Sequence, residues 1–141
     1  MEPLPGKYRL PIEHLPDAFA YHKIVTDSEG KPVDYIFLDV NPAFEQMTGR
    51  KKEEVVGKHV TEIYPGIEND GFDWIGTYGR VALDGEATRF EQYFEIAKRW
   101  HEITAYSDKP GCFAVIFYNL IYPALGRLAN ARIIYLEDWK I

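Results

Sequence analysis

The sequence has a single cysteine, Cys112, so no disulfide can form within the chain and a small disulfide-stapled secreted scaffold is excluded. No apolar run approaches the ~20 residues that a bilayer-spanning helix needs. The opening Met1-Glu2-Pro3-Leu4-Pro5-Gly6 has neither the basic start nor the apolar stretch of a secretory signal. Basic side chains are outnumbered, 16 against 22 acidic, for a formal charge of −6. That balance argues against a nucleic-acid partner and against an anionic membrane surface. Neither G-x-x-x-x-G-K-[ST] nor G-x-G-x-x-G occurs, so no phosphate loop is expected. The histidines His14, His22, His59 and His101 include no i, i+4 pair and stand at no metal spacing from the cysteine, so no metal site is expected. A cytoplasmic protein of one domain is the expectation.

What the chain has in excess is rings. Ten Tyr, eight Phe and three Trp make 15% of its 141 residues, more than a core of this size needs. Rings of this kind wall a cavity, cover an open sheet face, or fill a core. A near-neutral apolar tail adds a second asymmetry. Residues 1–119 carry 13 basic and 20 acidic side chains, and 120–141 carry 3 and 2, so the tail resembles a packing segment more than a solvated linker.

Along the chain, 1–17 reads as an arm with three early prolines and one helical turn near Ile12. Alternation predicts strands over 18–26 and 33–40, joined by a hairpin loop in which Gly30 takes positive φ. Asn41-Pro42 is the sharpest local signal. Asn is a favoured N-cap, its side-chain oxygen accepting a free amide, and Pro at the next position gives up no helical bond. Asn41 is therefore assigned as a structural cap of a helix over 42–48 that stops at Gly49. Short helices are expected over 52–56 and 61–64, and the longest over 72–83, where Trp74, Ile75, Tyr78, Val81 and Ala82 form an apolar stripe. Strands over 88–95, 99–106 and 112–120 follow, the last two joined by the turn Asp108-Lys109-Pro110-Gly111. Residues 121–141 are expected to give a short helix near 125–131 and an extended piece near 132–136.

This order predicts an α+β fold, a five-stranded antiparallel sheet with short helices and one longer helix packed on one face. The last strand is apolar on both faces, Phe113, Val115 and Phe117 on one and Ala114, Ile116 and Tyr118 on the other. A sheet with one bare face shows cleaner alternation, so the second face is expected to be covered by a terminal segment or another chain.

Particular stretches carry a resemblance. They are Leu15-Pro16-Asp17-Ala18, then Asn41-Pro42-Ala43-Phe44-Glu45-Gln46-Met47-Thr48-Gly49, then Glu54-Val55-Val56-Gly57-Lys58, and Arg99-Trp100 leading to Pro110-Gly111-Cys112-Phe113-Ala114-Val115. Over about 12–120 the chain resembles the PAS domain, the sensory module of bacterial histidine kinases and diguanylate cyclases in two-component signalling. Such domains commonly close on Asp-Ile-Thr, where this chain has Tyr118-Asn119-Leu120 with Pro123 just beyond. The resemblance implies a sensor domain over 18–120, a coupling or packing segment over 121–141, a homodimer, and an output domain or protein as partner.

It also implies a pocket for a small molecule between the sheet and the long helix. Strand phase and helix stripe make Tyr21, Tyr35, Phe37, Phe44, Trp74, Tyr78, Tyr93, Trp100 and Ile103 the candidates for its wall. Haem-binding relatives carry a ligating histidine on the long helix, and 72–83 has none. Covalent flavin photoreceptors carry a cysteine before that helix, and no cysteine precedes Cys112, which reads as a small packed thiol. A non-covalent flavin or a small metabolite stays open as the ligand. No residue is assigned a catalytic role. His101-Glu102 resembles a kinase phosphoacceptor dipeptide, but it falls in a strand and reads as a sheet histidine. The alternative function is a small α+β pocket enzyme of isomerase type, with Asp39 as its buried base; a turn contact beside Asn41 accounts for Asp39 more simply.

Overall fold

The computed structural model describes residues 9–95 and 97–119. Helix α1 spans Arg9–Glu13, and strands β1 (Ala18–Thr26) and β2 (Pro32–Val40) form the first hairpin. Asp27 shapes its loop: one carboxylate oxygen accepts the amides of Glu29 and Lys31, both at 2.9 Å. Four short elements cross over next: α2 (Pro42–Thr48), α3 (Lys52–Val55), α4 (Val60–Ile63) and a 3-10 turn at Ile67–Asn69. The longest helix, α5, spans Trp74–Asp84, before strands β3 (Thr88–Phe94), β4 (Arg99–Tyr106) and β5 (Cys112–Asn119). Helix α5 starts at Trp74, the first residue of the apolar stripe and two residues later than the expected range, because Asp73 caps it by accepting the Gly76 amide at 2.9 Å. The 3-10 turn had no signal in the sequence.

All strand pairs are antiparallel, in the order β2-β1-β5-β4-β3. The outer edge of β2 is closed by the α3–α4 connection, where the Phe37 amide donates to the Lys58 carbonyl and the Gly57 amide to the Phe37 carbonyl. This contact occupies the middle of the edge, around Phe37, and blocks continuous pairing with another strand there.

Between the sheet and the helices lies the main core, drawn from Ala18, Ala20 and Ile24 of β1, Tyr35 and Phe37 of β2, Ile103 and Ala105 of β4 and Phe113, Val115 and Phe117 of β5. Small residues on β1 let the helical layer come close. Gly79 serves the same end: a side chain there would collide with Pro32, so the glycine that weakens α5 as a helix lets it lie on the sheet. The opposite face of the sheet holds a second cluster, Phe19, Tyr21, Cys112 and Ala114, partly covered by Ile12 and Leu15. Both faces of β5 are thus apolar and covered around Phe113 and Ala114. The expected elements over 121–141 and the first eight residues of the arm lie outside the described residues.

Candidate functional site

Asn41 ties the helical layer to the sheet. Its Oδ1 accepts the amides of Phe44, which caps α2, and of Phe19 in β1, both at 2.9 Å. Its Nδ2 donates to the carbonyls of Ile12 at 3.1 Å and Asp17 at 3.0 Å. Each polar atom of this 1% exposed side chain is therefore paired. Helix α2 is fixed relative to β1, and with it Phe44, which presses its ring on Phe37 at 5.8 Å.

Behind that seam, His22, Tyr35, Phe37, Phe44, Tyr64, Ile67, Trp74, Tyr78, Phe94 and Phe117 surround an interior space. The rings nearly fill it. About 10 Å³ stays free between them, at the threshold for one water molecule. His22 sits among rings: it stacks on Phe113 at 4.5 Å and meets Tyr35 and Phe37 edge-on, both at 4.8 Å. No carboxylate, lysine or arginine lines the space. Burial lowers the His22 pKa from 6.5 to about 3, against a smaller opposing pull from the Phe113 backbone, so the imidazole is neutral. Burial likewise pushes the phenols of Tyr35 and Tyr78 upward.

Among the described residues, three polar atoms in this wall have no hydrogen-bond partner, Nδ1 of His22 and the hydroxyls of Tyr64 and Tyr78. Leaving such a group buried and unpaired costs about 1–3 kcal/mol. Of the three, it is Tyr64 that has a cation at its ring, the Arg50 guanidinium 5.3 Å from its centroid. Burial raises its pKa to about 12 and Arg50 opposes the rise.

Beside the interior space a cleft of about 160 Å³ opens to the surface, lined by Tyr64, Pro65, Gly66, Ile67, Asp70, Trp74, Phe94 and Glu95. Tyr64, Ile67, Trp74 and Phe94 belong to both walls, so these side chains form the partition. Trp74 is held in place by its Nε1, which donates to Asp70 at 2.8 Å.

Of the sequence candidates, Tyr35, Phe37, Phe44, Trp74 and Tyr78 line the interior space. Ile103 is fully buried in the same core but stands back from it. Tyr21, Tyr93 and Trp100 must be corrected. Tyr21 belongs to the opposite face of the sheet, where its hydroxyl donates to Asp108 at 2.8 Å. Tyr93 and Trp100 are register partners, their rings 5.8 Å apart. Their neighbours Phe94 and Ile103 point into the core, so strand alternation puts this pair on the other face. Sequence reasoning missed His22, Tyr64, Ile67, Phe94 and Phe117. His22 and Phe117 lie in phase with Ala20 and Val115, and assigning the correct face to each strand would have found them.

Asp39, the candidate base, sits 2.9 Å from Lys52 Nζ and is absent from the interior wall. Cys112 packs in the cluster on the far face, so the interior has no thiol for a covalent flavin, and α5 has no histidine for haem. Among the described residues, no group of three or more His, Cys, Asp or Glu is placed to hold a metal ion. No described helix is long and apolar enough to cross a membrane.

The PAS domain model matches residues 16–120. The chain belongs to the PAS domain family. It is thus a sensory domain of the kind found in signalling proteins. Among solved structures, it is similar to a domain of a sensory box sensor histidine kinase/response regulator from Geobacter sulfurreducens, at 22% identity and a TM-score of 0.55, over 80% of this chain and 91% of that one. The PAS domain of Bordetella pertussis BvgS is similar at 18% identity and 0.55, over 95% and 94%. The photoactive yellow protein domain of the sensor histidine kinase Ppr from Rhodospirillum centenum is similar at 13% identity and 0.55, over 82% and 100%. At these identities the likeness is one of fold. No curated protein matches the sequence.

Proposed function

We propose that this PAS domain binds an organic small molecule among the rings between α5 and the sheet, and relays its occupancy to a partner. The unpaired atoms of this wall, above all His22 Nδ1 and the Tyr78 hydroxyl, carry this reading. In a core shaped by stability alone, apolar side chains at these positions would avoid the cost of burying unpaired polar groups. The closed ring packing is then one of two states. A ligand that pairs these atoms favours a more open state, and its effect equals its difference in affinity for the two.

The sensor unit spans 18–120, with 1–17 as an arm and 121–141 as the segment that couples or packs against a partner. Coverage of the far sheet face by Ile12 and Leu15 supports the arm as part of the relay, within a homodimer or against an output protein. Asp39 is ion-paired and outside the interior wall, which weighs against the pocket-enzyme alternative.

Mass spectrometry of the purified protein under native and denaturing conditions tests the reading. A small molecule retained in the first and lost in the second is the expected result. An empty interior that also takes up no offered small molecule overturns it. An absorption spectrum of the same sample shows whether the molecule is a flavin. Deletion of 121–141 should change the oligomeric state in light scattering, and an unchanged state would remove the coupling role.

A further inference from the structure

The interior space has a chemical signature that narrows what can enter it. Its ten lining residues are aromatic or aliphatic apart from His22, and that imidazole is caged by rings. Three hydrogen-bonding atoms on this wall are buried without a partner, the Tyr64 hydroxyl near the cleft and, deepest, His22 Nδ1 and the Tyr78 hydroxyl, on side chains 2% and 1% exposed. Nothing on this wall balances a charge, and an unpaired ion in such surroundings is strongly disfavoured. The approach adds to this selection: the ionisable groups lining the cleft, apart from Tyr64, are the carboxylates of Asp70 and Glu95; Glu95 is paired with Lys98 at 3.5 Å, which leaves Asp70 to disfavour an anion.

Resting on the ligand-binding reading above, we propose that the ligand is an uncharged aromatic molecule with hydrogen-bonding groups, which enters through the cleft at Asp70 and Glu95 by displacing the Trp74 indole. Trp74 is one of the four side chains shared by cleft and interior, and Asp70 restrains its indole through one hydrogen bond. Swinging that ring aside joins about 160 Å³ of cleft to the interior. A one- or two-ring molecule then takes the place of the indole beside Tyr78, on which His22 stacks, and pairs their free atoms.

Isothermal titration of the full chain tests this with phenol and indole as neutral probes and indole-3-acetate and flavin mononucleotide as anionic ones. The neutral probes should bind at least tenfold more tightly than indole-3-acetate. Tyr78→Phe should weaken the neutral probes by about tenfold, the loss of one good hydrogen bond. Asp70→Ala should raise the association rate measured by stopped flow while circular dichroism stays unchanged. Equal or tighter binding of the anions overturns the ligand class and leaves the sensory reading standing. Neutral binding that ignores both substitutions overturns the site and the route. Failure of every probe, with nothing retained in native mass spectrometry, overturns both readings.

Discussion

Asn41 and Tyr78 are each 1% exposed, yet the protein treats them in opposite ways. Asn41 makes four hydrogen bonds of 2.9–3.1 Å that join the arm, β1 and α2. The Tyr78 hydroxyl, in the ring-lined interior, makes none. The seam around Asn41 is a structural joint with its polar groups matched, and the interior carries polar groups in waiting. Because an unpaired buried group costs more than a paired one returns, the contrast separates what holds the domain together from what makes it receptive. The two faces of the sheet repeat it: Tyr21 donates to Asp108, whereas Tyr78 on the other side has no partner.

Substitutions can break this contrast, beginning with the seam. Asn41→Ala orphans two amides and two carbonyls and should lower stability by about 4 kcal/mol in urea denaturation; a loss under 1 kcal/mol would mean that water repairs the joint. Acid gives an effect of similar size. His22 stays neutral in the fold until about pH 3 but protonates near 6.5 when unfolded. As pH falls below 6.5 the unfolded state binds the extra proton, so this contribution is intact above 6.5 and is lost down to about pH 3. Its slope approaches 1.4 kcal/mol per pH unit. Burial lowers the His101 pKa as well, so the wild type loses more than His22 alone accounts for. Comparing pH-dependent unfolding of wild type and His22→Leu isolates the share due to His22, and identical slopes would place His22 in contact with solvent.

The smallest effects carry the sharpest contrast, because one chemical change should act with opposite signs on the two faces. Tyr21→Phe leaves Asp108 without its donor and should lower stability by about 1 kcal/mol. Tyr78→Phe removes an unpaired hydroxyl and should raise stability by about 1 kcal/mol, at the expense of ligand affinity. Thermal melts of both variants check the signs. A destabilised Tyr78→Phe would show that its hydroxyl is already satisfied.

Much of the scaffold was readable one segment at a time. Asn41-Pro42 marked the start of α2 because both residues act through their own backbone neighbours. The loop ending in Gly30-Lys31 marked the first hairpin for the same reason. The face of each strand was not readable in this way. Alternation groups Phe19 with Tyr21 and Ala20 with His22, but a period of two does not say which set meets the helices. Strand phase suggested Tyr21 for the pocket, whereas the close approach of α5 and α2 admits only the smaller set, and Ile12 and Leu15 receive the larger. Tyr93 and Trp100 went astray likewise, since their partnership exists only in the register of β3 with β4. The bulge of β2 beside Tyr21 and His22 adds a change of phase that no local pattern announces.

The sequence by itself determined the order of the strands and principal helices, the Asn41 cap, the hairpin turns and the family resemblance, because those rest on contacts within a few residues. It also determined that the rings would be concentrated on the strands and the longest helix. Which rings face one another, that His22 joins them, and that Trp74 stands between cleft and interior were decided by the tertiary structure alone. These depend on which sheet face the helices cover and how closely they approach, quantities set by packing between segments far apart in the chain.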